Sequence, residues 1–223
     1  MTMMEAIKKR HSVRSYLDKK IPEDIRKQLQ DEICVCNQEG GLNIQLVLDE
    51  PKAFTGIMAH YGKFRGVQNY IALIGEKSEE LDEKLGYYGE KIVLLAQRLG
   101  LNTCWVALTF RKGVTRNQCQ IGKNEKLICV IALGYGKTQG IEHKSKAMED
   151  VCQVEGEMPD WFKKGMEAAL LAPTAVNQQK FFFSLHGNVV LARETGGVYS
   201  KIDLGIVKYH FEVGAGKENF RWK

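Results

Sequence analysis

The segment "RHSVR" carries the residues best suited to hold an anion. Arg10, Ser12 and Arg14 occupy alternate positions just after a predicted short helix over 3–10. Alternate side chains of an extended segment point to the same side, so two guanidinium groups and a hydroxyl can converge on one anion. Arginine suits phosphate because its planar fork donates two parallel hydrogen bonds. A solvated charge cluster at a helix end is the competing interpretation.

A second polar group, "APTAVNQQ" at 172–179, lies between a predicted helix that begins at Pro159 and a predicted strand, "KFFFSL". It places a rigid proline, a hydroxyl and three carboxamides in the connection between a helix and a buried strand. Such carboxamides can contact a ligand, or they can cap the turn in which they lie. The residues alone leave both interpretations open.

The elements that must position these groups are predicted from apolar patterns. Between the strands at 69–75 and 126–134, a helical pattern over 78–100 ends at a glycine. The polar stretch 135–158 predicts an extended connector. The other predicted elements are a helix that starts near Pro22, strands at 42–49 and in "TCWVAL", and an amphipathic helix over 201–216 with Ile206, Tyr209, His210 and Val213 on one face.

Two parts of the chain repeat the same order of features. Residues 25–48 run helix, polar break, strand, and residues 161–185 do the same; the helix over 78–100 has its counterpart at 201–216. This agreement predicts an internal duplication, with a first half over 1–150 and a shortened second half over 151–223.

Composition narrows the class of protein. The 223 residues carry a net charge of +5 and are 44% hydrophobic, which is ordinary for a globular chain, and none of the six cysteines forms a C-x-x-C pair. We therefore expect neither a disulfide framework nor a metal site. No run approaches the ~20 apolar residues of a membrane span, and the first residues lack the pattern of a secretory signal, so we expect a cytoplasmic protein. The charge is concentrated at 8–20, which favours a local anion site over a nucleic-acid surface.

The motifs together resemble those of the FMN-dependent nitroreductase family. The resemblance is carried by R-x-S-x-R, by A-P-T-x-x-N-x-Q, and by "AQRLGLNTCWVAL" with the strand end "IALGYGK". It implies an α+β fold with antiparallel-rich sheets flanked by helices. It implies no catalytic side chain and no metal, and it assigns FMN contacts to Arg10, His11, Ser12, Arg14, Lys144, Lys146, Pro173, Thr174, Ala175, Asn177 and Gln179.

One departure from the family pattern is informative. In ordinary members the A-P-S-x-x-N-x-Q element follows the arginine motif closely, whereas here "ICVCNQEGG" stands in that place and the element comes at 172–179. Family members are homodimers that bind FMN between subunits, with arginines from one chain and the Pro-Ser turn from the other. The resemblance therefore implies a monomer that mimics the dimer as two degenerate copies, with one FMN per chain and residues 172–179 beside residues 10–14.

The resemblance also implies a reaction. NAD(P)H would bind transiently and give hydride to FMN, and a nitroaromatic, a quinone or a similar small acceptor would then take two electrons in a ping-pong cycle. No G-x-G-x-x-G or Walker pattern suggests another nucleotide site. Two other hypotheses stay open at this point: a flavin store or sensor without efficient turnover, and a basic nucleic-acid-binding protein.

Overall fold

The computed structural model describes the backbone of residues 1–223 and every side chain except that of Met58. The chain divides into two units. Unit 1 comprises residues 1–9, 82–91 and 142–223, and unit 2 comprises residues 10–81 and 92–141. The predicted division into 1–150 and 151–223 stays a prediction.

Unit 2 is built on a four-stranded antiparallel sheet. Strands β2 and β4 are buried almost throughout, because their runs "NYIALIG" and "LICVIALG" have apolar side chains on both faces. Their pairing shifts register between Leu73 and Ile74. The sheet has the order β1-β2-β4-β3 and consists of β1 (Gln45–Val47), β2 (Asn69–Glu76), β3 (Asn102–Val106) and β4 (Glu125–Gly134).

Helices flank this sheet where the sequence supplies start and stop signals. The helix α2 begins after Pro22, which is the N-cap residue, and ends before Gly41, whose φ of 63° is left-handed. The first five helices of the chain are α1 (Met3–Lys9), α2 (Glu23–Gly40), α3 (Ile57–Tyr61), α4 (Leu81–Arg98) and α5 (Lys112–Gln118). Of these, α1 and the first half of α4 belong to unit 1, and the others belong to unit 2.

Unit 1 contains a second four-stranded sheet of mixed direction. Its order is β5-β6-β7-β8, with β6 and β7 antiparallel and the outer pairs parallel. Its elements in chain order are β5 (Cys152–Val154), α6 (Asp160–Ala169), β6 (Phe181–His186), β7 (Val189–Glu194), α7 (Ser200–Ala215) and β8 (Arg221–Trp222).

The helix α7 is buried on nearly every side, which corrects the prediction of one apolar face. Ile206, Tyr209 and His210 are buried as expected, but Val213 is only half-buried and residues between them are buried too. Gly205 makes this possible: a Cβ there would overlap the backbone oxygen of Glu83 on α4. The helices therefore approach at backbone distance, where only glycine fits.

Two further sequence expectations need correction. The stretch 135–158 is not wholly a connector, since a 3₁₀ turn at Met148–Asp150 and strand β5 lie in it. The strand expected over 42–49 is confined to Gln45–Val47. Short strands of this kind carry too few residues for an alternating pattern to stand out.

The mixed helices and sheets confirm the α+β class. The order helix–strand–strand–helix–strand occurs twice: as α2-β1-β2-α4-β3, where the short α3 lies between β1 and β2, and as α6-β6-β7-α7-β8, where the described residues between the two strands form no helix. However, β3 pairs antiparallel with β4, whereas β8 pairs parallel with β7. The order agrees with the duplication, which stays a prediction together with the pseudo-dimer. Across the described residues, no helix combines the length and apolarity needed to cross a membrane.

Candidate functional site

The arginine segment of unit 2 is extended and inserted among strand ends. Val13 N donates to Thr103 O at 3.0 Å, and Leu17 N donates to Tyr135 O at 2.7 Å. Tyr16 N donates to Arg65 O at 2.9 Å. These bonds fix the backbone that carries Arg10, Ser12 and Arg14, so the side chains start from a rigid base.

The three side chains of the arginine motif all lie near the Cys104 thiol. Burial raises the pKa of that thiol, and the positive charge of Arg14, the Ser12 hydroxyl and the positive charge of Arg10 act to lower it. Coulombic interactions weaken with distance and with screening by water, so these groups share one locality. Arg10 is buried and Arg14 is exposed. The result is a positively charged position beside the middle of β3.

The loop after β4 packs tightly over this segment. Asn102 Oδ1 accepts from Gly136 N at 2.9 Å, and Asn102 Nδ2 donates to Gln139 Oε1 at 3.0 Å. A Cβ on Gly140 would lie 2.7 Å from His11 Cβ, and the φ of Gly140 is +75°. His11 is therefore half-buried beneath the loop, and only a glycine permits this approach.

In unit 1 the turn at 172–179 has a strained backbone. Val176, Asn177 and Gln179 have φ values of 47°, 55° and 47°. Asparagine tolerates this left-handed region, whereas a β-branched valine is an outlier there. Val176 is also 89% exposed, so no packing of its side chain accounts for the conformation. Residues in sparsely populated conformations persist only where surrounding contacts fix them.

The carboxamides of this turn bind the segment at 144–146. Gln179 Nε2 donates to Lys144 O at 2.9 Å and to Asn177 Oδ1 at 3.0 Å, and Gln179 Oε1 accepts from Lys146 N at 2.8 Å. Lys146 Nζ donates to Gln179 O at 2.9 Å. Asn177 Nδ2 also donates to Lys144 O at 2.9 Å. Both amide hydrogens of Gln179 are thus used within the protein, which favours turn capping for that residue.

Asp203, in the first turn of α7, holds the same turn from another direction. Its two carboxylate oxygens accept from Ala175 N at 2.9 and 3.1 Å, and Oδ2 accepts from Gln178 Nε2 at 2.7 Å. Burial raises the pKa of Asp203 to about 6, against the opposing effect of the bonds from Gln178 and Ala175. Sequence analysis missed this residue; its position early in a helix was the only available signal.

The structure thus brings the predicted site residues into two groups. Unit 2 holds one group near Cys104, and unit 1 holds the other around the turn. The proximity of residues 172–179 to residues 10–14 stays a prediction. The first group comprises Arg10, His11, Ser12 and Arg14, and the second comprises Lys144, Lys146, Pro173, Thr174, Ala175, Asn177 and Gln179.

The chemistry of the first group fits the phosphate of FMN. Two guanidinium groups and a hydroxyl are donors, and the charged side chains that act on the Cys104 thiol are both cations. In the turn, Thr174 Oγ1 accepts from Gln179 N at 3.1 Å, which leaves its hydroxyl hydrogen for an acceptor such as a flavin carbonyl. Pro173 and Ala175 are half-buried and present small surfaces suited to a flat ring.

Replacing Val176 with asparagine should stabilise the protein. A left-handed conformation costs a branched residue about 1–2 kcal/mol, which asparagine largely avoids. We expect the free energy of unfolding to rise by about 1 kcal/mol in urea denaturation. Val198→Asn is the matched control, because Val198 is 60% exposed and its φ is not positive. An equal gain in both variants would contradict a role for the backbone strain.

Asp203 makes stability depend on pH in a defined direction. Its pKa rises from 3.8 to about 6 on folding, so the folded state binds the proton more tightly. Its contribution is therefore full below pH ~4 and lost as pH rises through ~6, a change of about 3 kcal/mol. We expect the stability difference between wild type and Asp203→Asn to shift by most of this amount, about 2–2.5 kcal/mol, between pH 4 and 7. A difference that is constant with pH would contradict the raised pKa.

Comparisons with known proteins identify the family. The family described as "Putative TM nitroreductase" matches residues 2–215. A solved "putative nitroreductase" of Thermotoga maritima MSB8 superposes with a TM-score of 0.70 at 23% identity, over 96% of this chain and 83% of that one. A "Putative NADH dehydrogenase/NAD(P)H nitroreductase" of Parabacteroides distasonis ATCC 8503 has a TM-score of 0.54 at 18% identity, over 67% and 95%.

A third solved structure, an "FMN-dependent Nitroreductase" of Clostridium difficile R20291, has a TM-score of 0.50 at 19% identity, over 66% of this chain and 92% of that one. No curated protein sequence matches the chain. These structures share the fold. The family match extends over most of the chain, so the protein belongs to this nitroreductase family. Family membership confirms the predicted resemblance and implies oxidoreductase activity with a flavin and NAD(P)H in general terms.

Proposed function

We propose that the protein is a cytoplasmic FMN-dependent oxidoreductase. It takes two electrons from NAD(P)H and gives them to a nitroaromatic, a quinone or a similar small acceptor by ping-pong chemistry. The observation that supports this most directly is the proximity of Arg10, Ser12 and Arg14 to the Cys104 thiol, since a dianionic phosphate is the ligand such donors match. We further propose that the chain is a monomer and binds one FMN.

The residues of the two groups would divide the work of binding. Arg10 and Ser12 would hold the phosphate, and Arg14, which is exposed, would reach the ribityl chain or the pyrimidine end of the ring. A fixed cation there favours negative charge on the ring. Lys146 Nζ donates a hydrogen bond to Gln179 O at 2.9 Å, so Lys146 stabilises the turn and also adds positive charge.

The turn residues would position the ring. Pro173, Thr174 and Ala175 would contact it, with Asn177 beside them, while Gln179 keeps the turn attached to the segment at 144–146. When bound, FMN supplies the electron transfer itself: it accepts hydride from NAD(P)H and returns two electrons to the acceptor. The protein supplies position and charge.

Flavin uptake and reduction test the proposal. Purified protein incubated with FMN and desalted should retain about one flavin per chain and be yellow, and anaerobic NADH or NADPH should bleach it within seconds. Protein that retains no FMN would overturn the proposal. Retention without bleaching by either nucleotide would indicate a flavin store or sensor instead. Sedimentation of the loaded protein tests the monomer, and a stable dimer would overturn that part.

A further inference from the structure

We infer that Asp203 is a positioning residue of the proposed flavin site, which fixes the turn at 172–179 and couples flavin affinity to its own ionisation. The inference rests on the proposed function. Asp203 accepts hydrogen bonds from the backbone of Ala175 and from the side chain of Gln178. These two partners flank Val176 and Asn177, which have left-handed backbones. The carboxylate therefore holds this left-handed pair, which includes the strained Val176, from both sides.

Gln178 is held firmly enough to transmit this constraint. Its Nε2 donates to Val198 O at 2.8 Å as well as to Asp203 Oδ2. A Cβ on Gly197 would overlap Gln178 Oε1, and the φ of Gly197 is +109°. The carboxamide thus lies against a backbone that only glycine allows, with both of its hydrogens used.

The ionised carboxylate is costly to the fold, which argues for a role beyond stability. Asp203 is 3% exposed, and among the described residues no lysine or arginine forms an ion pair with it. Burial raises its pKa to about 6, so the folded protein would be more stable with a neutral group there at neutral pH. A residue that reduces stability while it shapes a candidate site matches the trade-off seen at functional positions.

The charged groups around Asp203 do not titrate in the same way. Glu194, at the end of β7, accepts from Ser200 Oγ at 3.0 Å and from Gly196 N at 2.5 Å, and these bonds lower its pKa. On α7 itself, Lys201 lies near Glu194 and lowers the same pKa. The segment at 144–146 contributes Lys144 and Lys146, both exposed. Of the two carboxylates at this helix end, Asp203 is therefore the one that gains a proton near pH 6.

Protonation should release the turn. A neutral carboxyl group accepts hydrogen bonds more weakly than a carboxylate and has one oxygen occupied by its proton. Ala175 and Gln178 then lose part of their anchor, and the left-handed backbone at 176–177 can relax. Flavin contacts that depend on this geometry weaken as the pH falls through about 6.

The test compares Asp203→Asn with wild type and uses Glu194→Gln as the matched control. Dissociation constants for FMN and for riboflavin are measured by fluorescence between pH 5 and 8. Riboflavin is included because a phosphate monoester itself titrates near pH ~6. We expect Asp203→Asn to bind about 10-fold more weakly than wild type at pH 8 and about equally at pH 5, since charge-assisted bonds of this kind are involved. The ratio for Glu194→Gln should not change with pH.

Each outcome decides the matter. A ratio for Asp203→Asn that is constant with pH, or that equals one at pH 8, would overturn the coupling even though flavin binds. Wild-type protein that binds neither flavin would overturn the proposed function and this inference with it. In that case, the protection of the Ala175 amide hydrogen from exchange, measured relative to an unfolded peptide at the same pH, would still report the bond to Asp203, because it should fall below pH ~6 in the absence of flavin.

Discussion

Replacing Gly86 with alanine is expected to lower the free energy of unfolding by about 3 kcal/mol, the upper part of the usual range for overpacking. A Cβ on Gly86 would overlap the backbone oxygen of Ile202 and lie 3.2 Å from Gly205 Cα. Backbone cannot change rotamer to make room, so α4 and α7 would have to separate within unit 1. Urea denaturation followed by circular dichroism measures the loss.

Gly113→Ala is the matched control for this variant. Gly113 lies in α5, and a Cβ there meets no atom within 4 Å. The same exchange should therefore stabilise the protein, by up to about 1 kcal/mol, through helix propensity alone. Equal stability of the two variants would show that the helices are not in backbone contact.

Removing the guanidinium of Arg10 is expected to weaken FMN binding about 100-fold, because a charge-assisted hydrogen bond contributes about 1.5–3 kcal/mol. Riboflavin, which lacks the phosphate, should bind Arg10→Ala almost as it binds wild type. Titration with both ligands, followed by fluorescence, measures the two affinities. The contrast between them assigns the effect to the phosphate.

Two other variants control for the loss of charge and for misfolding. Arg116→Ala removes an equal charge from the exposed surface of α5 and should leave both affinities unchanged. Arg10 is buried, so its loss could impair folding; Arg14 is exposed, and Arg14→Ala should fold and weaken FMN binding by about 10-fold. Unchanged FMN affinity in folded Arg10→Ala and Arg14→Ala would remove both residues from the proposed site.

The sequence predicted long elements well because their patterns repeat over many residues. Strands β2 and β4 and helix α4 lie within one or a few residues of the expected bounds. It missed β5, β7 and β8; of these, β5 and β8 have only three and two residues and pair parallel with their neighbours. Such short segments depend on tertiary pairing, and local preference does not specify them.

The full burial of α7 could not be predicted from periodicity. An apolar face predicts one buried side, but Gly205 and Gly214 allow other backbones to reach the remaining sides: a Cβ on Gly214 would overlap Lys164 O. In a sequence, glycine within a helix signals a weak helix former. That a glycine allows another backbone to approach closely can be recognised only when the element packed against it is known.

The candidate site was predictable where its residues are close together in the sequence. Alternation placed Arg10, Ser12 and Arg14 together, because they are neighbours along one extended segment. Asp203 was not found, since it contacts Ala175 across 28 positions of the chain and carries no motif. The sequence did not decide whether the carboxamides at 177–179 contact a ligand or cap the turn. The hydrogen bonds of Gln179 favour capping for that residue.

The inserted arginine segment sets an order of events during synthesis. Tyr16 OH bonds to Val13 O within the segment, but its other partner, Ala132 O, comes 116 positions later. Contacts between such distant positions form slowly, because a long loop must close first. During synthesis on a ribosome the arginines would emerge early, and their segment could not pack until β3 and β4 had been synthesised. A nascent chain should therefore acquire affinity for a phosphorylated ligand only after the end of β4 has left the exit tunnel.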